Sequence, residues 1–223
     1  VAAVGAALQQ DRAANAVHVV QQCHALARAG ADITLYARRS VEHADRLPQS
    51  LSAAYGVDST AWRLVTYHGR FHRAAAARTA ALALAKLPGK STPIAILSRN
   101  LYAAFAGAVL QRRRMIYEAH DLEHGVRQGL QRAIITRPWV VTVAISEALV
   151  RHLVAHHGVG PARSCVLHDA APAGMHPLPR EQRRRQMTTF VPEAADSWDA
   201  IAAYFGHLYP GPGIGIIEAM ARA

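Results

Sequence analysis

Short β-rich runs alternate with longer helical patterns along most of this chain. That alternation constrains the fold more than any other feature, because it is the signature of a parallel sheet with helices on both faces. Apolar residues at Val17, Val20, Cys23 and Ala27, closed by Gly30, predict a helix over 15–29. Strands are expected at 1–4, 33–36, 62–67, 93–98, 115–119, 139–145 and 164–167, with helices at 47–55, 71–87, 101–111 and 146–156. Residues 139–145 are almost wholly apolar, as expected for a central strand covered on both sides. The class is therefore α/β, a Rossmann-like parallel sheet.

From 170 to 199 this pattern gives way to prolines (Pro172, Pro177, Pro179, Pro192), a basic cluster and an acidic patch, which read as a linker. Residues 202–213 then read as a buried strand entering a Gly/Pro-rich loop, and 214–223 as the start of a helix. A lone βα unit cannot bury its own faces, so it is expected to open a second, truncated α/β domain. The expected organisation is a Rossmann-like domain at 1–170, an interdomain linker at 171–199 and the first βα unit of an incomplete second domain at 200–223. A chain opening on Val rather than Met is read as clipped at its start.

The 223 residues carry a formal charge of +10. Nucleic acid, an anionic membrane face, phosphate-bearing substrates and a merely solvated basic surface all fit that balance. Few aromatics interleave with the arginines, which argues against a single-strand stacking platform. Along the 71–87 helix, Arg73, Arg78 and Lys86, with Arg70 just before it, suggest peripheral contact with an anionic membrane. No apolar run is long enough to span a bilayer and no secretory pattern opens the chain, so a cytoplasmic location is expected. Cys23 and Cys165 stand in no metal or redox spacing and read as buried small apolar residues.

In an open parallel sheet, ligands sit beyond the carboxyl ends of the strands, which directs attention to the residues following each strand. Glu118-Ala119-His120-Asp121 is the densest cluster, with Glu118 and His120 alternating onto one strand face. There His120 either hydrogen-bonds a sugar hydroxyl and steadies developing charge, or is a structural histidine satisfied by a neighbouring carboxylate. The spacing matches no usual zinc pattern and no cysteine joins it, so the cluster reads as a poor metal site. Ser146, without flanking glycines, is no nucleophile elbow; it reads as a helix cap compatible with a substrate contact. The first loop, with Gly5 but no G-x-G-x-x-G, argues against dinucleotide binding.

Five stretches in order resemble one family. They are Val17-His18-Val19-Val20 through Ala37, Ile116-Tyr117-Glu118-Ala119-His120-Asp121, Val143-Ala144-Ile145-Ser146-Glu147-Ala148-Leu149, Val166-Leu167-His168-Asp169-Ala170 with His176-Pro177, and Tyr204-Phe205-Gly206-His207-Leu208-Tyr209-Pro210-Gly211. Together they resemble retaining GT-B glycosyltransferases of the family-4 type. The resemblance implies two Rossmann-like domains facing each other, the first binding the acceptor and the second a nucleotide-sugar donor. It implies that Gly5, Asp11, Arg12, Asn15, Asp121 and Ser146 line the acceptor side and that His120 is catalytic, reaching the donor sugar. Gly206, His207, Gly211 and Gly213 would approach the donor diphosphate. The implied reaction is sugar transfer to a saccharide or lipid-linked acceptor in cell-envelope polysaccharide synthesis, without metal or other cofactor and without nucleic acid. Pro212 stands where the family carries a phosphate-binding Lys, Ala170 replaces a usual Gly, and no two of the glutamates show the family's E-x7-E spacing. A weakly active or inactive fragment is therefore expected, and the alternative is a non-catalytic Rossmann-like binding module.

Overall fold

The structure, a computed structural model, describes residues 2–8, 14–39, 52, 55–68, 84–85, 87, 89, 94–168 and 178–190. The chain divides into two compact units, 1–172 and 173–223. The first holds a seven-stranded sheet of β1 (Ala2–Leu8), β2 (Thr34–Arg39), β3 (Arg63–His68), β4 (Ile96–Ser98), β5 (Met115–Ala119), β6 (Val140–Ala144) and β7 (Ser164–Val166). The order is β3-β2-β1-β4-β5-β6-β7, and every pairing is parallel. Strand order thus reverses between β1 and β4, the position where such sheets open a crevice.

Helices flank both faces because each strand alternates its side chains. On β2, Leu35 and Ala37 pack with Ala16, Val19, Val20 and Cys23 of helix α1 (Ala14–Arg28), whereas Tyr36 joins the opposite cluster. That second cluster gathers Met115, Tyr117 and Ala119 of β5 with three helices. They are α2 (Leu101–Phe105), α3 (Val126–Ile135) and α4 (Glu147–His157). Ile134 and Leu153 are fully buried there, each worth about 2–3 kcal/mol of transfer free energy. Gly30, at φ +88°, ends α1 in a left-handed conformation that favours glycine.

Most expected elements are present, with corrections. β1 extends to Leu8, so Gly5 lies inside the strand rather than in the loop after it. The pairing register with β2 slips between Val4 and Ala6, so Gly5 marks a bulge. Beyond Phe105 the chain continues as a π-type turn, Ala106–Leu110, which Arg112 ends at φ +52°. Helix α3 lies in a stretch where residue patterning predicts no element. β6 is buried on both faces, as expected, except at Val141, which is 43% exposed at the amino end. Cys23 is buried as expected, but Cys165 is exposed, because β7 is an edge strand with one open face. Only Leu84 and Ala85 are described as helical in the 71–87 segment. No described helix is long and apolar enough to cross a membrane.

Of the second unit, a single helix is described, α5 (Arg180–Phe190), within the stretch that composition marked as linker. Its polar sequence includes an exposed Glu181–Arg185 pair at i,i+4 spacing. The expected βα unit at 200–223 lies outside the described residues.

Candidate active site at the carboxyl edge

The alternation along β5 sends Met115, Tyr117 and Ala119 to one face and Ile116, Glu118 and His120 to the other. On α1, His18 and Gln22 stand one turn apart and so share a face. These two faces meet. Glu118, only 5% exposed, accepts a hydrogen bond from Gln22 Nε2 at 3.0 Å on Oε2. Its Oε1 lies 2.9 Å from His18 Nε2 and is also hydrogen-bonded by His120 Nε2. The imidazoles stand edge to face, 5.5 Å apart at 85°. Both are partly exposed, at 25% and 22%, so they carry the buried charge out to the rim.

Burial pushes the Glu118 carboxyl up, but hydrogen bonds from His120, His18 and Gln22, together with the charge of His18, outweigh it. The group is held well below its ordinary range as a fixed anion. An imidazole that directs its Nε2 proton at this anion carries its lone pair on Nδ1 in the neutral tautomer. Glu118 thereby sets the orientation and the tautomer of His120 and pairs with His18.

His18, Glu118 and His120 also bring one ligand atom each within 4.8 Å of one another. Two nitrogens on one tetrahedral zinc stand about 3.3 Å apart, whereas His18 Nε2 and Glu118 Oε1 lie closer, at 2.9 Å. His18 and His120 both pair with Glu118 Oε1, and the three form the candidate ligand set found among the described residues.

The loop after β5 is fixed from below. Gln131, fully buried on α3, donates to the Asp121 carbonyl at 3.0 Å and to Tyr117 Oη at 3.3 Å, and accepts from Glu123 N at 3.1 Å. Burial pushes the Tyr117 hydroxyl up to about 12, against the opposing hydrogen bond from Gln131. It therefore stays protonated as part of this support.

His120 follows β5 directly, and its side chain is paired with Glu118, the structural alternative that the residues offered. Asp121 is exposed, and its backbone carbonyl holds Gln131. Ser146, two residues past β6, caps α4: its Oγ accepts from Leu149 N at 3.2 Å. Asn15 lies in the first turn of α1. Gly5, in the β1 bulge, is the one expected loop residue that the strand absorbs. Asp11, Arg12, Gly206, His207, Gly211 and Gly213 lie outside the described residues. Sequence reasoning missed His18, Gln22 and Gln131. The i,i+4 pair His18/Gln22 was legible on α1, but nothing in the order of residues joins α1 to β5.

No protein-family model matches the chain, and no curated protein gives a significant sequence match. Solved structures do share its fold. UGT89C1 of Arabidopsis thaliana, complexed with quercetin, superposes with a TM-score of 0.55 at 12% identity over 84% of this chain and 55% of that one. A glycosyltransferase from Rickettsia africae ESF-5 gives 0.53 at 11% identity, over 86% and 48%. The chain thus spans about half the length of each. Its parallel sheet flanked by helices is an architecture found in glycosyltransferases.

Proposed function

We propose that this chain forms the acceptor side of a retaining GT-B glycosyltransferase that moves a sugar from a nucleotide-sugar to a saccharide or lipid-linked acceptor. One observation carries the reading. The His18–Glu118–His120 cluster joins α1, which follows β1, to the end of β5, and so spans the point where strand order reverses. In the reaction, the bond from the sugar's anomeric carbon to the diphosphate breaks and a bond to the acceptor oxygen forms. The acceptor proton leaves with the diphosphate. His120, oriented by Glu118, offers Nδ1 to a hydroxyl of the transferred sugar and fixes its position, the source of rate in a near-attack arrangement. Asn15, Asp121, Ser146, Asp11 and Arg12, with the backbone at Gly5, take the acceptor in this reading. Gly206, His207, Gly211 and Gly213 take the donor diphosphate. Its charge is neutralised by basic side chains and a helix terminus rather than a metal. A cytoplasmic location and a role in cell-envelope polysaccharide synthesis follow from the same reading.

The experiment is a titration of the chain with saccharides and nucleotide-sugars, observed through the histidine imidazole resonances. Perturbation of His120 and His18, lost in His120→Ala, is expected. If no saccharide or nucleotide-sugar moves either imidazole at millimolar concentration, the site is not a sugar site and a non-catalytic binding module is the better description.

A further inference from the structure

The opposite edge of the sheet has a different character. Because all strands are parallel, the residues just before β4, β5, β6 and β7 line up: Ala95, Arg114, Trp139 and Arg163. With Pro138 and Val141 they line a groove of about 520 Å³. Its floor is apolar and its cationic groups are arginines. Arg163 is fixed, donating from Nη1 to the carbonyls of Arg137 and Val140. Arg112 stacks over the Trp139 ring at 5.2 Å, and Trp139 Nε1 donates to the Ala108 carbonyl at 2.8 Å. Arg112 holds φ +52°, a conformation that glycine or asparagine adopts more easily. Among the described residues, no carboxylate pairs with Arg112, Arg114, Arg137 or Arg163. Leu110, the neighbour of this turn in the chain, is 70% exposed.

We propose that this amino-edge surface, centred on Arg112, Arg114, Trp139 and Leu110, docks on an anionic phospholipid bilayer. Unpaired guanidinium groups take lipid phosphates. Leu110 and Val141, 70% and 43% exposed, enter the boundary between headgroups and chains, where exposed aliphatic side chains are favourable. The groove floor is apolar and Arg112 covers a face of its one indole, so a bilayer fits better than a stacking platform for single-stranded nucleic acid. This surface lies at the opposite edge of the sheet from the His18–Glu118–His120 cluster. Binding there leaves the carboxyl edge open.

The test is co-sedimentation of the 223-residue chain with phosphatidylcholine vesicles, with and without phosphatidylglycerol. The chain is expected to pellet only with the anionic vesicles and to be released by salt. Arg114→Glu with Leu110→Glu should weaken binding about tenfold or more. Leu110→Ser alone, at a largely exposed position, should weaken it measurably while circular dichroism stays unchanged. Arg127→Glu with Arg151→Glu, an equal or greater loss of positive charge at exposed positions of the same unit outside the groove lining, should leave binding within a factor of about two of the parent. Equal binding to neutral vesicles overturns the proposal, as does an equal loss in the Arg127 and Arg151 variant. So does indifference to the Leu110 and Arg114 changes, or duplex-DNA binding with the same Arg114 dependence and no vesicle binding.

Discussion

Glu118 and Gln22 are 96 positions apart in sequence and 3.0 Å apart in space. That contact, with the histidines on the other carboxylate oxygen, makes a buried anion the hinge between α1 and β5. Removing its charge should be costly, because both imidazoles and an amide are arranged around it. Glu118→Gln is expected to lower stability by roughly 2 kcal/mol in urea titration. It should also release His120, giving a changed imidazole resonance, whereas a merely space-filling Glu118 would leave that resonance in place.

The same residue sets an acid dependence. Its folded carboxyl lies below the ordinary value of 4.5, so the native state favours the ionised form. The stabilisation is present above about pH 4.5 and is lost as pH falls below it, where the unfolded chain takes up the proton first. Melting temperature should therefore drop between about pH 5 and about pH 3 more steeply in the parent than in Glu118→Gln. Parallel curves would exclude the assignment.

His157 gives a second, separate pH window. It is buried at the end of α4, where burial, then the charges of His152, Arg132 and His156, lower its imidazole below 6.5. Its Nδ1 has no partner among the described residues, and Gln128 Nε2 lies 3.5 Å from Nε2. A lowered histidine favours the neutral form, so its contribution is full above about pH 6.5 and declines as pH falls below that value. His157→Gln is expected to flatten the stability curve between about pH 7.5 and about pH 5.5, read by thermal melting at closely spaced pH values.

Ser146 can be separated into cap and ligand. Ser146→Ala removes the hydrogen bond to Leu149 N and is expected to cost about 1 kcal/mol. Ser146→Asp restores a capping oxygen and a favourable charge at the helix start, and should return stability to near the parent. If Ser146 also touches the acceptor, the Asp variant keeps its melting temperature but binds saccharide more weakly. Unchanged binding in both variants would make Ser146 a cap alone.

Gly158 closes α4 at φ +78°, and a methyl group added there would meet only Thr136 Cγ2, at 3.6 Å. Space is available, so the effect of Gly158→Ala is conformational, about 1 kcal/mol of destabilisation. Gly158→Asn should cost less, since asparagine tolerates the left-handed region. Equal losses for the two, by chemical denaturation, would point to sterics instead.

What the order of residues determined here is local. The apolar spacing of α1 and its Gly30 stop, the β-rich run of β5, and Ser146 before Glu147 each act within a few positions, and each has its expected structure. Gly5 and α3 escaped for the complementary reason. A bulge depends on the register against β2, and α3, with Gly129 in its middle, draws its stability from burying Ile134 and Ile135. The site divides the same way. Glu118 and His120 share a face by strand geometry alone, so their pairing is legible in the order of residues. His18, Gln22 and Gln131 enter only when the chain packs. Parallel strands joined by crossovers bring distant segments together through buried apolar area, which carries no record in local sequence of which polar groups will meet.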